Sequence, residues 1–134
     1  LIEPIQASLP QLNIKEYLKF LINYCNKNNI IILFDEMITG IRYKGTSAQQ
    51  SLNLQPDIST FGKCFGGGFP IGIIAITDKL YKRLSRLKRR VFFGWTFSGN
   101  QISTFVGRKT VEFIYKNKRK IFYHLEKKGS YIEN

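Results

Sequence analysis

Five consecutive apolar residues, Ile30-Ile31-Ile32-Leu33-Phe34, constrain this chain more than any other feature. The run is mostly β-branched and apolar at every position, the signature of a strand buried on both faces of a parallel sheet. Before it, Ile14, Tyr17, Leu18, Leu21, Ile22 and Cys25 recur at helical spacing up to Asn28-Asn29, and Asn13 with Glu16 has capping-box spacing. A helix feeding a buried strand predicts an α/β fold. The chain has 134 residues, 43% of them hydrophobic. A unit of this length can bury roughly two-thirds of its unfolded surface without disulfides or a metal.

Further elements follow from turn chemistry. A short helix is predicted from Thr46 to about Leu52, with Pro56-Asp57 as punctuation, and a second short strand at Ile58–Phe61. After a triple-glycine loop at Gly66–Gly68, a third strand is predicted at Ile71–Thr77. Thr77 or Asp78 then caps a helix to about Leu87, and Val91–Phe97 forms an aromatic connection. Ser98 or Asn100 caps a last long helix with Ile102, Phe105, Val106, Phe113 and Ile114 on one side.

Composition narrows the function. The purest apolar runs are strand-length, far below the twenty or so residues of a membrane span. Cys25 and Cys64 stand apart without CxxC or Cys/His spacing, which argues against zinc ribbons, disulfide scaffolds and any metal site, and favours a reducing compartment. The net charge is +12, with fifteen of the 21 Lys/Arg but only three of the nine Asp/Glu after residue 78. The cluster Lys82, Arg83, Arg86, Lys88, Arg89 and Arg90, with Phe92, Phe93 and Trp95 nearby, could track a nucleic-acid backbone. The preferred reading is a solvated helix face and a helix C-terminus that favours cations.

Two residues stand out for chemistry. Asp35 follows the apolar run, at the carboxyl edge where open α/β sheets bind ligands. Alone, it also reads as a helix cap or a surface acid at a strand exit. Lys63 lies between Gly62 and the Phe65-Gly66-Gly67-Gly68 loop, where backbone can approach a ligand closely and a lysine can act as a nucleophile. Phosphate loops fit poorly: a Walker A pattern would need glycine at Asp57 and Ser/Thr at Cys64, and GxGxxG lacks its last glycine. The sole histidine, His124, sits in the basic C-terminal part and gives little support to a nucleophilic triad.

Three ordered blocks carry a resemblance. Ile32-Leu33-Phe34-Asp35-Glu36-Met37-Ile38-Thr39-Gly40-Ile41-Arg42 resembles the aspartate block of the class III pyridoxal-phosphate-dependent aminotransferases. Gln55-Pro56-Asp57-Ile58-Ser59-Thr60-Phe61-Gly62-Lys63, followed by Gly66-Gly67-Gly68-Phe69-Pro70-Ile71-Gly72, resembles their lysine block, 28 residues after Asp35. Thr96-Phe97-Ser98-Gly99-Asn100 resembles their threonine block. Within the family the similarity is to the glutamate-1-semialdehyde aminomutase-like branch, a reading to which Arg42 contributes. Glu3-Pro4 also matches, whereas Ala7-Ser8-Leu9-Pro10 and Gln101 depart from the family pattern.

The resemblance implies part of the large domain of a fold-type-I transferase, three-layered with a mostly parallel sheet and incomplete at both ends. Residues 1–115 would be the central part of the cofactor-binding domain, and 116–134 a connecting helix or the start of a C-terminal small domain. It implies pyridoxal 5'-phosphate as cofactor, Lys63 as the residue forming the internal aldimine and shuttling the proton, and Asp35 as the partner of the pyridine nitrogen. Met37 would pack on the ring, and Thr96 would bind the phosphate, usually that of the neighbouring subunit. The expected protein is a cytoplasmic homodimeric enzyme, a transferase or isomerase acting on a small amino or keto substrate. The alternatives are a truncated non-catalytic or structural piece and, less favoured, the basic nucleic-acid module. Leu1 in place of methionine fits an internal piece of a longer chain.

Overall fold

The computed structural model describes residues 1–11, 13–43, 45–87, 94 and 98–133. Its elements are α1 (Lys15–Lys27), β1 (Leu33–Asp35), α2 (Ala48–Leu52), β2 (Ile58–Gly62), a 3-10 turn (Lys63–Gly66), β3 (Gly72–Ile76), α3 (Asp78–Ser85) and α4 (Gln101–Glu133). The α/β class predicted from the sequence is the class observed. None of the described helices is long and apolar enough to cross a membrane.

Helix α1 buries Leu18 and Cys25 and packs Ile14, Leu21 and Ile22 beside them. Tyr17, predicted on that face, is exposed. The expected Asn13–Glu16 capping box does not form. Ile14 already has helical backbone angles and occupies the N-cap position with no side-chain cap, while Glu16 lies 4.0 Å from Lys19.

The other end of α1 corrects the first strand. Asn29 adopts a left-handed φ of 57°, the Asn29 N–H donates to Asn26 O, and the Ile30 N–H donates to Cys25 O. These are the two bonds of a Schellman cap, with asparagine in the left-handed position. Ile30 is therefore used to end the helix. It is 49% exposed and Ile31 45%, so β1 starts at Leu33 rather than Ile30.

β1 is held on both sides. The Ile2 N–H donates to Leu33 O and the Asp35 N–H to Ile2 O, while β2 runs parallel to β1 in the register Leu33↔Ile58, Phe34↔Ser59, Asp35↔Thr60. Asp57 fixes the amino end of this pair: its Oδ2 accepts from the Ile32 N–H and its own N–H donates to Ile32 O. Phe34 is fully buried and joins Leu18, Cys25, Ile32 and Leu52 in the core. β3 pairs antiparallel to β2, making the described sheet mixed, in the order β1-β2-β3. The nine residues between β2 and β3 are too few for a crossover of a dozen or more, so the chain can only turn back.

The connection from β1 to β2 is organised by Glu36, a residue with no exposed surface. Its carboxylate accepts from the Ala48 N–H at 2.6 Å, the Gln49 N–H at 2.9 Å and the Thr39 hydroxyl at 2.9 Å. The first two are orphan donors of α2, whose remaining cap is Ser47 accepting from the Gln50 N–H.

The caps predicted for the last two helices form. Thr77 accepts from the Leu80 N–H, and Asn100 from the Ser103 N–H. The inward face of α4 differs from the predicted one: Ile102, Phe105 and Phe113 are each 62% exposed, whereas Ser103 and Gly107 are buried and Val106, Thr110 and Ile114 partly so. Small residues decide the contact. A Cβ on Gly107 would meet Ile71 Cδ1 at 2.7 Å and Phe65 O at 3.2 Å, so the helix axis can lie against the turn only through that glycine. α4 continues past residue 116 as one helix, with Glu112 held below its ordinary pKa by the Arg108 hydrogen bond first and by Lys109 next.

The Glu36 hub is directly testable. Glu36→Ala strands two backbone donors and a hydroxyl in a buried site, and should lower the unfolding free energy by about 3 kcal/mol, with Glu36→Gln losing less. Urea unfolding of both variants measures this; a wild-type midpoint for Glu36→Ala would show that the hub is dispensable.

Candidate active site

Parallel pairing brings the carboxyl ends of β1 and β2 to one edge, and the predicted residues of the aspartate and lysine blocks lie there. Asp35 is the last residue of β1 and is half-buried. Its Oδ1 accepts from the Met37 N–H at 2.9 Å and from the Thr60 hydroxyl, on the neighbouring strand, at 3.2 Å. Its Oδ2 takes no hydrogen bond from any described residue. Alternation along the strands puts Asp35, Thr60 and Gly62 on one face, opposite Phe34 and Ser59.

Lys63 directly follows β2 and opens the 3-10 turn. It is exposed and makes no ion pair with a described residue. Its φ is +50°, a left-handed conformation that costs a residue with a Cβ about 1–2 kcal/mol. The surroundings enforce it. A Cβ on Gly62 would meet Met37 Cε at 2.5 Å and Ile71 O at 2.9 Å, and Gly67 closes the turn in left-handed geometry against Thr110 of α4.

Met37 is thus in contact with the residue preceding Lys63, on the face that carries Asp35. Thr60 pairs with Asp35, and Lys63 follows three residues later, at most roughly 10 Å farther along the chain. The residue that ends β1 and the residue that follows β2 therefore share a sheet edge, with Met37 packed against Gly62. Thr96 lies outside the described residues. A groove of about 370 Å3 between Phe61, Phe65, Ile73 and α4 lies on the opposite sheet face and includes neither Asp35 nor Lys63.

Sequence reasoning passed over two residues of this edge. Glu36 was visible only as the neighbour of Asp35, because its partners lie 12 and 13 residues away. Thr60 stood inside the lysine block, but its link to Asp35 depends on the strand register.

Comparison with known proteins gives the setting. The model of the family described as aminotransferase class-III matches residues 1–134. The chain is 39% identical over 136 residues to the glutamate-1-semialdehyde 2,1-aminomutase of Methanococcus vannielii, covering all of this chain and 31% of that protein. It is 35% identical over 131 residues to the same enzyme of Methanothermobacter thermautotrophicus, covering 97% of this chain and 30% of the relative. The chain thus spans about a third of the length of these relatives. Among solved structures, a transaminase from the marine bacterium Virgibacillus superposes with a TM-score of 0.77 at 27% identity, over 87% of this chain and 27% of that one. A match along its whole length, the fold of a solved transaminase and two blocks meeting at one sheet edge make this chain a member of the class-III aminotransferase family.

Proposed function

We propose that the protein of which this chain is the central part transfers an amino group with pyridoxal 5'-phosphate, as a transaminase or an aminomutase. The observation that supports this reading is that Asp35 ends β1 and Lys63 follows β2 at one carboxyl edge, with Met37 against Gly62. The residues fit the cofactor by their chemistry. Asp35 has one oxygen held by two donors and the other without a donor among the described residues, as an acceptor for a protonated ring nitrogen requires. Lys63 offers a primary amine with no ion pair among the described residues for a covalent link to an aldehyde, and Met37 a polarizable side chain for a ring face. When bound, pyridoxal phosphate supplies a sink for the electrons released when a proton leaves the amino-bearing carbon.

The protein's own groups do the rest. Asp35 holds the proton on the ring nitrogen, and that charge keeps the sink effective. Lys63 Nζ takes the proton from the amino-bearing carbon and returns it, which its attachment beside that carbon makes efficient. The left-handed backbone of Lys63 limits where the amine can travel. Beyond the described residues, we assign Thr96 to the cofactor phosphate of a neighbouring subunit in a cytoplasmic homodimer. We assign 1–115 to the cofactor domain, and 116–134 to a connecting helix or the start of a small domain. The substrate is a small amino or keto compound, and the aminomutase relatives favour an amino shift within one molecule.

In the full-length protein, borohydride should fix pyridoxal phosphate onto the peptide carrying Lys63, and Lys63→Ala should abolish the label. Label on another lysine would contradict the assignment. With glutamate 1-semialdehyde as test substrate, Asp35→Asn should lower kcat at least about 10²-fold. A wild-type rate would remove Asp35 from the mechanism. Lys63→Gly should abolish the label yet stabilise the fold by up to about 1 kcal/mol, because glycine relieves the positive φ. Thermal unfolding without cofactor reads this, and a destabilised Lys63→Gly protein would refute the strain.

A further inference from the structure

The Asp35 carboxylate is held unevenly. Its Oδ1 receives two donors from different elements, the Met37 amide two residues along its own chain and the Thr60 hydroxyl from β2. A carboxylate held at a strand end by one local amide can exchange its two oxygens by rotation about its terminal torsion, which is broad and two-fold. A second donor converging on the same oxygen narrows the range of that torsion and fixes the plane of the carboxylate. Oδ1 is then a fixed anchor, and Oδ2, which takes no donor among the described residues, is available to an external partner.

We propose that Thr60 is a positioning residue for Asp35. Resting on the cofactor reading above, its hydroxyl selects the carboxylate orientation in which Oδ2 accepts from the cofactor ring nitrogen. The register makes this possible. Asp35↔Thr60 is a direct partner pair of the parallel β1–β2 ladder, and Glu36 N–H donating to Thr60 O closes the same pair from the backbone. Thr60 is therefore fixed relative to Asp35 by main-chain bonds that survive loss of its hydroxyl. Thr60 does not touch the reacting atoms on this account; it acts through Asp35.

The test uses the full-length protein, with pyridoxal phosphate as the probe. Thr60→Val keeps a β-branched side chain in the strand and replaces the hydroxyl by a methyl group, whereas Thr60→Ser keeps the hydroxyl. Thr60→Val should weaken cofactor binding about tenfold, the order of one hydrogen bond to a charged group. It should also move the pH dependence of the bound cofactor's visible absorbance in the same direction as Asp35→Asn. Thr60→Ser should restore both to within about twofold of wild type. In the cofactor-free protein, couplings of the Asp35 β-methylene protons should show rotamer averaging about Cα–Cβ in Thr60→Val but not in Thr60→Ser.

Wild-type affinity and spectrum in Thr60→Val, beside an impaired Asp35→Asn, would overturn the role of Thr60 and leave the functional reading intact. Equal losses in Thr60→Val and Thr60→Ser, with a lowered melting temperature in both, would also overturn it, showing a packing role only. Wild-type cofactor binding by Asp35→Asn would overturn the Asp35 reading and the Thr60 proposal with it.

Discussion

The parallel ladder between β1 and β2 is the constraint on which everything else rests. A slip of one residue in this pairing would turn Asp35 to the core face now occupied by Phe34 and bring Phe34 to the ligand edge. The chain prevents the slip at both ends. At the amino end, Asp57 exchanges two hydrogen bonds with Ile32, and the Ile58 N–H also donates to Ile32 O, which places Ile58 beside Leu33. At the carboxyl end, the Glu36 N–H continues the ladder to Thr60 O while the Glu36 carboxylate ties the outgoing chain to α2. The carboxyl group proposed for chemistry and the one that organises structure are adjacent in sequence and serve opposite purposes. One is buried and hydrogen-bonded through both oxygens; the other keeps one oxygen without a donor among the described residues.

Lys63 depends on a second layer of support. Its left-handed backbone is unfavourable in isolation, so neighbouring contacts must determine it. Met37 and Ile71 close on Gly62, Thr110 on Gly67, and Ile71 and Phe65 on Gly107. The long helix α4 therefore braces the turn that presents the lysine, through a surface of small residues. This explains why its largest apolar side chains point elsewhere. Strain concentrated at Lys63 and rigidity around it are two aspects of the same packing.

Much of this was legible in the sequence, for reasons that differ by residue. The buried face of α1, the caps Thr77 and Asn100, and the positions of α2 and β2 follow from local rules, and local rules decided them. Ile30 was misread because hydropathy cannot distinguish a β-branched residue at a helix cap from one in a strand. The α4 face was misread because Gly107 and Ser103 carry no hydrophobic signal, although they permit the closest approach. The antiparallel course of β3 was implicit in the length of its connection. Asp35 and Lys63 were recognisable from their blocks, but Thr60 required a register that no single segment encodes.

The most direct test of the central claim is a crystal structure of the full-length protein with pyridoxal phosphate bound. The account predicts continuous density from Lys63 Nζ to the cofactor and an Asp35 oxygen, the one not held by Thr60, within hydrogen-bond distance of the ring nitrogen. Cofactor bound elsewhere, with Lys63 and Asp35 both directed into bulk solvent, would contradict it.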